Sequence, residues 1–258
     1  MIKKLFVSVL LFLAFAVSLS AFALDGSIYT SYVNKYLWRG QILNNGPALQ
    51  SGLSFGTQGA TVGVWTSCQQ MASPDLFDEV DLTAAYEHSI PYVDFLSLGL
   101  GYISYFTAPY NYPYLVPSQE VSITLKSDVI SSPYITFYHS LDAAKTYDYM
   151  EGGVSYEYEI GELLGGKTAA GASALVGLDL NQVTYDYVEM VKTTAVTPTI
   201  LGINLYVNYK IAGFTVTPSA FFQLNLDKYN NTSGARLYSN NSAFSILVNY
   251  DFTMGDPK

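Results

Sequence analysis

From residue 28 onward the chain breaks into about twelve short stretches in which apolar and polar residues alternate, the mark of half-buried strands. The phase is clearest over 201–211. Leu201, Ile203, Leu205, Val207, Tyr209 and Ile211 share one face, and Gly202, Asn204, Tyr206, Asn208 and Lys210 share the other, because successive strand side chains point to opposite sides. Phe214, Val216, Ala220, Phe222 and Leu224 repeat the pattern against Thr215, Thr217, Ser219, Gln223 and Asn225. Pro218 lacks a ladder donor and predicts a bulge. The last stretch sets Phe244, Ile246, Val248, Tyr250 and Phe252 against Ser245, Asn249 and Asp251. Earlier members are expected over 28–39, 49–55, 60–67, 80–87, 96–105, 120–126, 134–140, 147–160 and 174–181.

The apolar faces carry large aliphatics, whereas the opposite faces carry Gly and Ser, a poor core. That contrast selects an inside-out sheet over a secreted sandwich or lipocalin-like barrel, in which the greasy face lines the interior. Inverting 201–211 would cost on the order of 10 kcal/mol in displaced aliphatics and a lipid-facing Lys210. The expected fold is therefore all-β, a transmembrane antiparallel up-and-down β-barrel of about 12 strands. Short connections at 56–59, 89–95, 127–133 and 211–213 alternate with long ones at 69–78, 107–118, 182–199 and 227–241, which predicts periplasmic turns and external loops. The connection 161–173 is long on the short side and breaks the trend.

Residues 1–23 read as a secretory leader, with Lys3 and Lys4 before an apolar core and a small-x-small end at Ala21-Phe22-Ala23. Residues 24–258 then form one barrel domain. No later apolar run is long enough for a spanning helix, which points away from the inner membrane and toward a Gram-negative outer membrane. Cys68 is the only cysteine, so no intramolecular disulfide forms. The balance of 12 Lys and Arg against 21 Asp and Glu argues against a nucleic-acid partner. The 23 tyrosines suit membrane interfaces. The partners expected are outer-membrane lipids, the barrel-assembly machinery, and small polar solutes or ions.

Charged residues on the polar phase are the candidate pore lining: Lys35, Arg39, Glu79, Asp81, Glu87, Glu120, Lys126, Glu151, Glu157, Asp179, Lys210 and Asp251. Opposing charges along a lumen select permeants by charge and size, and the acidic excess predicts weak cation preference. The same charges could instead pair across the lumen and hold the interior together. Arg39 is expected near the outer mouth, either bridging to Glu79 or Asp81 and narrowing the pore, or stabilising a turn beside Gly40. Gly99, Gly101, Gly153, Gly177 and Gly202 fall on inward phases, where they leave room or let the wall curve.

Asp75, Asp78, Glu79 and Asp81 cluster where a loop enters a strand, but their spacing does not match an EF-hand, which favours a solvated acidic loop. The Pro- and Tyr-rich segment 109–117 reads as a rigid surface loop, or as an inward constriction. His139, Ser140 and Asp142 evoke a hydrolytic set, yet adjacent strand residues face opposite ways, so His139 and Ser140 cannot easily share a proton. No GxSxG, Walker A or zinc-type spacing is present. A non-enzymatic barrel without cofactor or metal is the expectation. A scaffold or adhesin with a filled lumen is the main alternative, since twelve strands lie between packed small barrels and open porins.

Several pieces recur in order between Tyr29 and Glu87: Ser31-Tyr32, Tyr36-Leu37-Trp38-Arg39-Gly40, Asn45-Gly46-Pro47-Ala48-Leu49-Gln50, Val62-Gly63-Val64-Trp65 and Glu79-Val80-Asp81-Leu82. In these the chain resembles the TorF-type porin family of Gram-negative outer-membrane proteins. The resemblance covers roughly a quarter of the sequence and implies a porin of unassigned cargo. Such barrels usually end on an aromatic residue, whereas here Thr253 to Lys258 follow Phe252.

Overall fold

A computed structural model describes residues 24–69, 78–107, 118–142, 148–186, 191–226 and 240–255, with backbone only over 181–195. Fourteen strands are present among them, and twelve close into a barrel. These are β1 (Leu24–Val33), β4 (Ala48–Thr57), β5 (Ala60–Gln69), β6 (Glu79–Ser89), β7 (Leu96–Thr107), β8 (Ser118–Ser127), β9 (Tyr134–Ser140), β10 (Asp148–Leu163), β11 (Gly166–Asp186), β12 (Val191–Ile211), β13 (Phe214–Asn225) and β14 (Asn241–Met254). Every neighbouring pair is antiparallel, and β1 seals the ring by pairing with both β4 and β14. The remaining two strands, β2 (Tyr36–Trp38) and β3 (Gln41–Asn44), form a hairpin outside that ring.

The wall is inside-out. Outward-phase Ile123 and Ile246 are 53% and 52% exposed, while inward-phase Glu120 and Asp179 are 4% and 6% exposed. Among the described residues fifteen buried ones are polar or charged and only five are hydrophobic. Ordinary soluble domains bury the opposite set.

The turn end of the barrel reuses one device. Gln58-Gly59, Leu164-Gly165 and Ala212-Gly213 are two-residue connections with both φ angles positive, the type I′ pattern that matches strand twist.

Several boundaries differ from the sequence reading. The first stretch does not run to Arg39: β1 stops at Val33, and Tyr36–Trp38 belongs to the separate hairpin. The connection read as 161–173 shrinks to Leu164-Gly165, because β10 and β11 pair as far as Leu163 and Gly166. Small residues at Ala169, Ala170, Gly171 and Ala172 had blurred the alternation there. The connection read as 182–199 is mostly strand, since β11 and β12 stay paired to Asp186 and Val191.

Pro218 makes no bulge. The β12–β13 register is unchanged on either side, at Tyr206 with Ser219 and Tyr209 with Val216, and the ladder simply skips two pairs. Thr217 Oγ1 donates to Asn208 Oδ1 at 2.7 Å across that gap.

The leader 1–23, the loop interiors 70–77 and 108–117 (with Asp75 and the Pro-rich segment), and residues 227–239 lie outside the described residues.

Candidate functional site in the lumen

The β2–β3 hairpin follows β1 at the end of the barrel opposite the type I′ turns, and it folds into the lumen. Its tip, Arg39-Gly40, has φ angles of 45° and 89°, the same turn class again. A non-glycine residue is uncommon in the left-handed region and is held there by its surroundings. The base of the hairpin is tied to β14: Asn34 N donates to Phe244 O at 3.0 Å, and Phe244 N donates to Asn34 Oδ1 at 2.7 Å. Lys35 Nζ donates to Asn241 Oδ1 at 2.8 Å.

From that base the hairpin reaches six wall strands. Tyr36 tilts against Trp65 of β5, with ring centroids 5.7 Å apart. Trp38 meets Tyr105 of β7 edge-on at 6.1 Å. Arg39 Nη1 and Nη2 donate to Glu120 Oε1 and Oε2 of β8, both at 2.9 Å. The guanidinium also lies 4.5, 4.2 and 4.6 Å from the ring centroids of Trp38, Tyr138 of β9 and Tyr149 of β10. Gln223 Nε2 of β13 donates to Gly40 O at 2.7 Å.

Arginine suits this place because its planar fork matches a carboxylate while its faces stack on rings. Tyr105 Oη adds a third hydrogen bond to Glu120 Oε2 at 3.0 Å. Burial, followed by the charge of the neighbouring Glu79 carboxylate, pushes the Tyr36 phenol up. A cavity of about 490 Å3 opens beside the tip, lined by Trp38, Arg39, Tyr138 and Glu151 and continuing past Thr83, Gly101 and Ser122 toward the turn end.

The structure separates the candidate pore residues into two groups. Around the hairpin stand Arg39, Glu79, Asp81, Glu120, Glu151 and Asp179. Glu79 and Asp81 are buried on the inner face of β6. Glu151 accepts from Tyr134 Oη at 3.3 Å and Tyr138 Oη at 3.5 Å. Nearer the turn end lie Glu87, Lys126, Glu157, Lys210 and Asp251. Lys126 Nζ is 3.3 Å from Glu87 Oε1, and Asn208 Nδ2 donates to Glu157 Oε2 at 2.5 Å. Asp251 Oδ1 accepts from Asn249 Nδ2 at 2.9 Å. Lys35 stands apart, in the bend after β1.

Two readings are corrected here. Arg39 bridges to Glu120 rather than to Glu79 or Asp81, because the hairpin carries it past β6 to the opposite wall. Three of the five inward glycines leave less room than expected, whereas Gly101 lines the cavity. A Cβ at Gly153, Gly177 or Gly202 would meet the rings of Tyr134, Tyr149 or Phe221 within 3.0 Å, so these glycines seat aromatic side chains. Sequence reasoning missed Glu120's partner and the ring set Trp38, Tyr138 and Tyr149. The Arg39-Gly40 tip and Asn34 were the local signals of a turn.

His139 and Ser140 face opposite sides, as the alternation requires. His139 Nδ1 lies 2.6 Å from Asp148 Oδ1, while Ser140 Oγ accepts from Asp142 N at 3.2 Å.

Outer-membrane porins are among the solved structures similar to this chain. The NanC porin aligns with a TM-score of 0.51 at 12% identity, over 87% of this chain and 98% of that one. The KdgM porin aligns with a TM-score of 0.52 at 10% identity, over 88% and 99%. The same porin in complex with disordered oligogalacturonate gives 0.51 at 9% identity, over 88% and 99%. At these identities the likeness is one of fold: a closed twelve-stranded antiparallel barrel of the outer-membrane porin kind. No family model matches the chain, and no curated protein matches it by sequence.

Proposed function

We propose that the protein is an outer-membrane channel for passive diffusion of small hydrophilic solutes or ions, with the β2–β3 hairpin as its constriction. The observation that carries this reading is an inner face of polar and charged residues inside an apolar outer wall, with a cavity running from the hairpin toward the turn end. In this reading the turns face the periplasm and the hairpin end faces outward. The leader 1–23 directs export, and the assembly machinery inserts the barrel among outer-membrane lipids. The motif Tyr36-Leu37-Trp38-Arg39-Gly40, which carries the likeness to TorF-type porins, is the segment that builds the constriction. That coincidence supports membership of that family.

Weak cation preference belongs to the same reading. Glu79, Asp81, Glu87, Glu120, Glu151, Glu157, Asp179 and Asp251 face Lys35, Arg39, Lys126 and Lys210, and the Arg39–Glu120 and Lys126–Glu87 pairs cancel two charges on each side, which keeps the acidic excess. A second reading, a scaffold with a filled lumen, draws on the packing at the hairpin, where Tyr149 and Gln223 are essentially sealed. Planar-bilayer recording of the refolded protein separates the two. Discrete conductance steps with a cation-selective reversal potential are expected, and a silent bilayer would transfer the weight to the scaffold.

A further inference from the structure

Glu79 and Asp81 are two residues apart on the inner face of β6, and both are more than nine-tenths buried. Across the ladder on β5, Ser67 pairs with Glu79 and Trp65 pairs with Asp81. The Tyr36 phenol of the hairpin lies beside the Glu79 carboxylate. Two atoms in this corner have no hydrogen-bond partner: Asp81 Oδ1 and the Oγ of Ser67, whose residues are 6% and 1% exposed. Sealed, unpaired oxygens on adjacent strands call for an explanation, because each gives up hydration without a replacement.

A protein cation does not supply one. Among the described residues Arg39 is engaged with Glu120, Lys126 with Glu87 and Lys35 with Asn241, while Lys167 and Lys210 stand at the turn end. Two carboxylates and a hydroxyl form an all-oxygen donor set with two formal negative charges, the kind that a hard divalent cation takes.

We propose that Glu79, Asp81 and Ser67 form a binding site for a calcium-type divalent cation, set in the wall beside the hairpin. The carboxylates of Glu79 and Asp81 supply the charge, Ser67 Oγ supplies a neutral oxygen, and water completes the shell. Tyr36, beside Glu79, brings the hairpin up to the occupied site. Glu79 is the first residue of its strand at the hairpin end, so the ion enters from that mouth. The site needs no conduction, so a channel that conducts without binding calcium would sink this proposal alone.

The test is titration calorimetry of the full refolded barrel in detergent with calcium chloride. Saturable binding at a single site is expected in the parent. It should be lost in Asp81→Asn, weakened at least about tenfold in Ser67→Ala, and unchanged in Glu162→Gln at the turn end. Heat-modifiable gel mobility checks that each variant is folded. Should Asp81→Asn fail to fold, Glu79→Gln with terbium luminescence excited through the tryptophans reads the same site, and loss of signal is expected. Absence of calcium binding in the parent would overturn the proposal. So would unaltered affinity in folded Asp81→Asn or Glu79→Gln.

Discussion

Arg39 and Glu120, 81 positions apart in sequence, meet across the lumen through two parallel hydrogen bonds of 2.9 Å. Their side chains are only 7% and 5% exposed. Removing one partner of such a pair strands the other charge away from water, which costs about 3–5 kcal/mol. Arg39→Ala should therefore lower the urea midpoint of the barrel in lipid vesicles and raise single-channel conductance as the tip comes loose. Arg39→Lys should rescue only part of this, since an ammonium cannot reproduce the fork or the stacking. Unchanged conductance in Arg39→Ala would show that the hairpin does not narrow the path.

Gly40 offers a way to disturb the tip without touching that pair. Its φ of 89° is costly for any residue with a Cβ. Gly40→Val should destabilise by more than about 1 kcal/mol and shift conductance in the same direction as Arg39→Ala. Thermal unfolding and bilayer recording on one preparation check both effects.

Leu205 and Asn204 are neighbours that face opposite media. Leu205 is 50% exposed on the outer phase, and Asn204 pairs with Phe221 on the inner phase. Arginine on the lipid face near the bilayer centre costs about 2–4 kcal/mol. Leu205→Arg should show that loss in vesicle unfolding, whereas Asn204→Arg should stay within about 1 kcal/mol of the parent. The reverse ranking would invert the orientation of the wall.

Lys126 and Glu87 form the contrasting ion pair. At 3.3 Å, and with side chains 43% and 51% exposed, they remain well solvated. Lys126→Ala should cost less than about 1 kcal/mol. The same denaturation series that detects Arg39→Ala should register little for it.

The wall was legible because lipid imposes a strict period of two. Over 201–211 and 244–252, side chains fall on the faces that the alternation assigns. The hairpin was not legible, because Lys35, Tyr36, Leu37, Trp38 and Arg39 continue the same alternation as β1 without a break. Only Asn34 and the Arg39-Gly40 pair punctuate the run, and neither tells a strand from an inward fold. The partner of Arg39 was beyond reach for a different reason. Periodicity places a side chain on a face but not at a height, and many inward carboxylates were available. The β10–β11 turn was hidden by alanine and glycine, which fit either face.

The seam between β1 and β14 joins the opening strand to the closing one through ten residue pairs, Leu24–Met254 to Val33–Ser245. Until β14 arrives, the edge of β1 has bare amides and carbonyls, which hydrocarbon does not tolerate. A nascent product stalled before Asn241 thus leaves an unzipped curtain rather than a smaller cylinder. Only the full circuit leaves every strand of the wall paired on both sides.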